Sequence, residues 1–222
     1  MRYTVITGAS SGIGYAAALR FAKRGHNLVV VARREERLQE LKQKIALESP
    51  GVDCHIRVFD LSDIANCFAL YNSLEGLALG TWVNNAGIGI YGELAGHDIA
   101  AVQQMLHLNV EALTVLSQLY VKDYKNVPGA QLINISSAGG YAMVQNAVAY
   151  CAAKYYVSAF TEGLAVELKN QKAQLQAKVL APFLTETEFA QVANAADSFD
   201  YSEHYRRFHT SDEMAGFLLA LY

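Results

Sequence analysis

A strand-like run, Thr4-Val5-Ile6-Thr7, stops at a glycine-rich turn, Gly8-Ala9-Ser10-Ser11-Gly12-Ile13-Gly14, and gives way to a helical stretch. No other feature of the chain restricts its fold as strongly. Glycines permit a tight turn and close backbone approach to a ligand. The helix expected over Tyr15 to Lys23 offers unpaired N–H groups at its start, which suit a pyrophosphate. Ser10 and Ser11 add hydroxyl donors. The spacing is G-x-x-x-G-x-G rather than the G-x-G-x-x-G dinucleotide fingerprint, but the physics is the same. An ordinary turn is the competing reading. Its place at the first strand-to-helix junction of an alternating chain weighs against that. No Gly-Lys-Ser/Thr follows, which disfavours a P-loop nucleotidase.

The alternation continues to the end of the chain. Leu28–Val31, His55–Phe59, Thr81–Asn84, Gln131–Ser136 and Ala177–Ala181 read as strands two to six. Helical patterns fall between them, over Glu35–Glu48, about Asp98–Tyr124 and residues 148–170, and again over Met214–Leu221. Ser62 or Asp63 is placed to cap the helix after strand three. Such alternation implies parallel βαβ units with right-handed crossovers. Uninterrupted β-branched strands imply a sheet covered on both faces. The expected fold is α/β: a three-layer doubly wound parallel sheet, Rossmann-like, with six strands evident and a seventh not evident near the C-terminus. We find no repeat, linker or low-complexity tract, so residues 1–222 read as one domain.

Composition removes other classes. The chain has 222 residues, 52% hydrophobic and 18% charged, enough to bury a core. A net charge of −3 gives no basic excess for nucleic acid or an anionic membrane. No apolar run has the length of a membrane span by this reading. No leader pattern precedes the first strand, and the cysteines Cys54, Cys67 and Cys151 lack disulfide or metal spacing, so a cytoplasmic setting is expected. His204 and His209 have no metal-motif context, and no metal site is read.

Two further patterns point to chemistry. Strand two ends Val31-Ala32-Arg33-Arg34, with no acid to bind a ribose 2′-hydroxyl. Two guanidiniums suit a 2′-phosphate, which points to NADP rather than NAD. The plainer alternative is that Arg33 and Arg34 begin the charged helix that follows. The second pattern is Tyr150-Cys151-Ala152-Ala153-Lys154, with Ser137 upstream. On a helix Tyr150 and Lys154 share a face, and the ammonium is expected to lower the phenol's pKa toward a general acid–base range. A surface Tyr–Lys contact would look the same.

Together these pieces resemble the short-chain dehydrogenases/reductases, from about residue 4 to 189. Thr7-Gly8-x-x-x-Gly12-x-Gly14 is similar to the family's cofactor turn. Asp60-Leu61 sits where the family places an Asp near the adenine. Asn84-Asn85-Ala86-Gly87 resembles its strand-four signature, and Asn109 in Leu108-Asn109-Val110 its helix asparagine. Asn134-Ile135-Ser136-Ser137 carries the serine, with the spacing to Tyr150 favouring Ser137 over Ser136. The resemblance implies NADP(H) as cofactor and a small-molecule carbonyl or alcohol as substrate. It implies that Tyr150 exchanges a proton with the substrate oxygen and that Ser137 hydrogen-bonds that oxygen. Lys154 is implied to hold the nicotinamide ribose, and Asn109 to support a water relay. It also allows a homodimer or homotetramer paired through the two long helices. A non-catalytic NADP(H)-sensing regulator is the alternative from another class.

Two departures stand out. Pro182-Phe183-Leu184-Thr185-Glu186-Thr187 keeps Pro182 and Thr187 but has Phe183 where the family commonly has Gly. Thr187 is the first candidate for the carboxamide contact and Thr185 the second. The family's last strand is not evident, which puts pairing through it in doubt. Residues 183–210 take the place of the substrate lid, with Phe199, Tyr201, His204, Tyr205, Arg206, Arg207 and Phe208. The aromatics suit an apolar carbonyl compound, and an arginine suits an acid group. The alternative is an amphipathic helix packing its aromatics on the core. Tyr91 and Tyr141 are further pocket candidates.

Overall fold

The computed structural model describes residues 2–194 and 198–222. Six strands, β1 (Tyr3–Thr7), β2 (Asn27–Ala32), β3 (Cys54–Val58), β4 (Leu79–Asn84), β5 (Gln131–Ile135) and β6 (Gln176–Leu180), form one sheet. Every pairing is parallel, in the order β3-β2-β1-β4-β5-β6. This is the Rossmann-like arrangement, whose strand order reverses between β1 and β4.

Alternate strand residues feed two cores. Ile6, Leu28, Val30, Val83 and Ile133 pack beneath α1 (Gly12–Lys23), α2 (Glu35–Glu48) and α9 (Ser211–Leu221). Val5, Val29, Val31, Trp82 and Leu132 pack on the other face. There they meet α3 (Ile64–Asn72), α5 (Leu113–Tyr124) and α6 (Val148–Asn170). The uninterrupted apolar strands have partners on both sides. Asp63 rather than Ser62 caps α3, accepting from Ala65 N at 2.9 Å.

The long helical region is interrupted. α4 (Ile99–Leu106) passes through a π-helical turn, His107–Ala112, into α5. The continuous span Ile99–Tyr124 is long and apolar enough to cross a membrane by length and composition alone. This corrects the expectation that no such run exists. The physical reason for its composition is visible in the packing. Met105, Asn109, Ala112, Leu113, Leu116, Ser117 and Tyr120 form one buried stripe, as on a helix laid against a sheet.

The lid region also has more order than the sequence suggested. Two short strands, β7 (Thr185–Glu186) and β8 (His209–Thr210), pair in parallel. They close the base of an excursion carrying α7 (Glu188–Ala193) and α8 (Tyr201–His204). Thr210 then begins α9 with a capping box, exchanging hydrogen bonds with Glu213. Arg20 on α1 grips Asp212 through two guanidinium nitrogens at 2.7 and 2.5 Å, tying α9 to α1.

Candidate active site

A cleft of about 440 Å³ opens at the C-terminal ends of the strands, beside the reversal between β1 and β4. The glycine turn forms its floor. Gly8 and Gly12 have φ of 67° and 55°, in the left-handed region. A Cβ on Gly8 would lie 2.8 Å from Ala86 Cα, and one on Gly14 only 2.5 Å from Gly8 O. Gly14 therefore packs behind the turn rather than lining the cleft, while Gly8, Ser10, Ser11, Gly12 and Ile13 face it. Asn85 braces this floor. Its amide donates to Thr7 O and Gly8 O at 2.9 and 3.2 Å. The Thr7 hydroxyl accepts from the backbone of Asn85 and of Ala86, each at 3.0 Å. Asn85, Ala86 and Gly87 also line the cleft.

Arg33, Arg34, Asp60, Leu61 and Phe59 line the end beyond β2 and β3. Arg33 pairs loosely with Asp60 at 3.6 Å. Burial pushes the Asp60 carboxyl up, but hydrogen bonds from Ser62 and the charge of Arg33 outweigh it and hold the acid below its ordinary range. Phe59 was missed from the sequence. It looks like the last residue of a strand, and only its position at the rim marks it.

Ser137, Tyr150 and Lys154 meet in the wall of the cleft. β5 delivers Ser137 just past its end, and α6 carries Tyr150 and Lys154 one turn apart. The two serines are held differently. Ser136 is buried, with hydrogen bonds to Lys154 O at 3.0 Å and Ser158 Oγ at 2.8 Å. Ser137 accepts from Gly139 N at 3.1 Å and lines the cleft with Tyr150.

The protonation expected of Tyr150 is not the one found. Burial pushes its phenol up to about 12, and the opposing influence of Ser137 only partly offsets this. Lys154 does not lower it. The ammonium nitrogen turns to Ile135 O at 2.9 Å and lies 5.9 Å from the Tyr150 ring centroid. Burial also drives Lys154 itself down to about 8. Low dielectric, not the neighbouring charge, dominates both groups.

Asn109 sits in the π-helical turn, 1% exposed, behind the cleft wall rather than on it. Its amide donates to Ile88 O at 2.8 Å and accepts from Ile88 N at 3.0 Å. A Cβ on Gly87 would meet Asn109 Oδ1 at 3.2 Å and Lys154 Nζ at 3.6 Å, so that glycine keeps the two side chains close. π turns recur at functional positions.

Pro182, Thr185 and Thr187 line the opposite side. Thr187 lies against Gly12, whose added Cβ would be 3.1 Å from Thr187 Cγ2, and accepts from Phe189 N at 3.1 Å. Thr185 turns its hydroxyl to Phe183 O at 2.9 Å. Phe189, also missed, stacks beside Tyr150 and Tyr91, with centroids 5.4 and 6.5 Å away. Tyr201 and Tyr205 face the cleft, and Phe199 and Phe208 pack on Tyr201. Arg206 and Arg207 do not line it, and neither does Tyr141, which donates to Glu162 instead. Side-chain direction, invisible in the sequence, decides against these three. The side chain of His204 lies outside the described residues.

Known proteins share this arrangement. The family model for short chain dehydrogenase matches residues 2–198. The chain belongs to the short-chain dehydrogenase family. Sulfoacetaldehyde reductase 2 of Chromohalobacter salexigens is 32% identical over 91% of the chain and 80% of its own length. A short-chain dehydrogenase from Sphingobium yanoikuyae, solved in complex with NADPH, superposes with a TM-score of 0.90. It is 31% identical and matches 99% of this chain and 83% of its own. A Comamonas testosteroni alcohol dehydrogenase described as specific for bulky-bulky ketones superposes at 0.84, with 27% identity over 99% and 82% of the two chains. This short-chain dehydrogenase is therefore an oxidoreductase of that fold. Its cleft also fits a dinucleotide. The floor is a cradle that a Cβ at Gly8 would disrupt, and Arg34 meets Ser10 just past the end of β2.

Proposed function

We propose that the chain is an NADP(H)-dependent oxidoreductase that interconverts a carbonyl and an alcohol, with Tyr150 as general acid/base. The observation that carries this reading is the meeting of Ser137, Tyr150 and Lys154 in the cleft wall, with Lys154 one helical turn from Tyr150. The cofactor, when bound, supplies the hydride; this chain's residues bind, orient and move the proton. The glycine turn would hold the pyrophosphate, Arg33 and Arg34 the 2′-phosphate, and Thr187 the carboxamide. A phenol near 12 keeps its proton at neutral pH, so Tyr150 is poised to donate to an oxygen becoming an alkoxide. Ser137 orients that oxygen and supports its developing charge. Asn109, locked to Ile88, supports a water relay that returns the proton by way of Lys154.

Around Tyr150 the lining is Tyr91, Val144, Phe189, Val192 and Tyr205. Among the described residues this end carries no arginine, and Lys154 is its one lysine. We therefore favour a neutral, bulky apolar ketone over a small anionic aldehyde, because an unpaired anion in such a wall loses its hydration without recompense. The buried free cysteines accord with a cytoplasmic setting.

The test is NADPH consumption, followed by loss of its near-ultraviolet absorbance, over a panel of aryl and cyclic ketones and of small sulfonated or carboxylated aldehydes. The expected result is turnover concentrated among the apolar ketones. Tight NADPH binding without turnover of any carbonyl would instead favour a cofactor-sensing protein.

A further inference from the structure

One of the two arginines read as gripping a 2′-phosphate is already held by the chain's own anion. Arg34 precedes α2 on one side of the cleft, and Glu188 opens α7 on the other; both face it. Arg34 Nη2 lies 2.9 Å from Glu188 Oε2. The same guanidinium donates to Ser10 Oγ from Nε and Nη2, at 3.3 and 3.1 Å. Arg37 Nη2 stands 4.0 Å from Glu188 Oε1. A phosphate gains most from an arginine through two parallel N–H donors. On Arg34 the Nη2 edge is shared between Ser10 and Glu188, so an incoming phosphate competes with a carboxylate for that edge. Arg33 is held less firmly, by Asp60 at 3.6 Å.

Resting on the NADP(H) reading above, we propose that Glu188 is a specificity-setting counter-ion. Its carboxylate occupies Arg34 and must give way to a 2′-phosphate. It therefore weakens binding of 2′-phosphorylated cofactor selectively and narrows the preference for NADPH over NADH. A 2′-hydroxyl has no such contest, because it carries no charge to bring to Arg34. The effect is bounded by exposure. The side chains of Arg34 and Glu188 are 46% and 42% exposed, so solvent and salt screen the pair.

The test is equilibrium binding of NADPH and of NADH, by cofactor fluorescence, to the full chain and to three variants: Glu188→Gln, Arg34→Ala and the double variant. Glu188→Gln should tighten NADPH binding about three- to fivefold, the size expected for removing a partly exposed competing charge, and leave NADH within about a factor of two. In the Arg34→Ala background the same change should have no effect on NADPH. Three results would overturn the proposal: NADPH affinity unchanged or weakened by Glu188→Gln, a tightening shared equally by NADH, or a tightening that persists without Arg34. Failure of the underlying cofactor reading looks different. The unmodified chain would then bind NADPH and NADH equally, and Arg34→Ala would alter neither. A chain that prefers NADPH and loses that preference with Arg34→Ala, yet ignores Glu188→Gln, keeps the cofactor reading and loses only the counter-ion.

Discussion

Lys154 is 6% exposed and its pKa is driven down to about 8 by burial. The sign of the stability effect follows. The unfolded chain holds the proton up to about 10.4 and the folded chain only to about 8, so the unfolded state binds more protons between these values and stability rises with pH across that window. Below it the buried ammonium costs about 3 kcal/mol, from 1.36 kcal/mol per pKa unit. Lys154→Met should therefore abolish turnover and yet raise stability at pH 7 by about 2 kcal/mol, after loss of the bond to Ile135 O. Urea denaturation at pH 7 and pH 10 checks this, and the gain should largely vanish at the higher pH. A variant equally destabilised at both would contradict the burial argument. Spacing marked Tyr150 only weakly, and it was the family resemblance that singled it out and favoured Ser137 over Ser136. The direction of the tyrosine's shift was not legible. It depends on where the Lys154 nitrogen points and on how deeply the phenol is buried, and neither is written in a Tyr-x-x-x-Lys pattern.

The glycine turn, the strand-four loop and α1 work as one unit through Asn85 and Thr7. Gly14→Ala forces a methyl to 2.5 Å from Gly8 O, so the floor must shift. NADPH affinity should fall at least about tenfold, with a stability loss of about 1–3 kcal/mol, the usual range for overpacking. Calorimetric binding and thermal melting would read both. A second unit is buried deeper. Trp82 Nε1 donates to Asn84 Oδ1 at 2.7 Å, and the Asn84 amide donates to Ser117 Oγ and Asn134 Oδ1 at 3.0 and 2.9 Å. The Asn134 amide in turn reaches Thr161 Oγ1 at 2.9 Å, so one polar chain ties β4, β5, α5 and α6. Asn84→Ala leaves several of these groups without partners and should cost about 3 kcal/mol in urea unfolding. The sequence marked Asn84 and Asn134 by resemblance, but only the packing gives them this work. The π-helical turn was illegible because its apolar pattern continues that of the flanking helices. The β7–β8 pair was illegible because two-residue strands leave no period to detect.

At the scale of the whole molecule, the parallel sheet of six strands was readable because strands and helices alternate and right-handed crossovers leave few topologies. The lid was only half readable. Its aromatics suited an apolar pocket or a helix packed on the core, and which of them face the cleft depends on side-chain direction. Cofactor choice belongs to this scale, since it joins β2, β3 and the lid. Arg33→Ala should weaken NADPH about ten- to a hundredfold, the worth of a charged hydrogen bond to phosphate, and leave NADH nearly unchanged. Titrations with both cofactors at two salt concentrations would show it, with the NADPH loss shrinking at high salt. The central claim is that Tyr150 supplies the proton for carbonyl reduction on an NADPH-loaded chain, and a paired measurement on Tyr150→Phe tests it most directly. NADPH affinity, by fluorescence titration, should stay within about twofold, while ketone reduction falls about a thousandfold, the range for removing a general acid. Turnover near that of the unmodified chain, with the cofactor bound as before, would contradict the account.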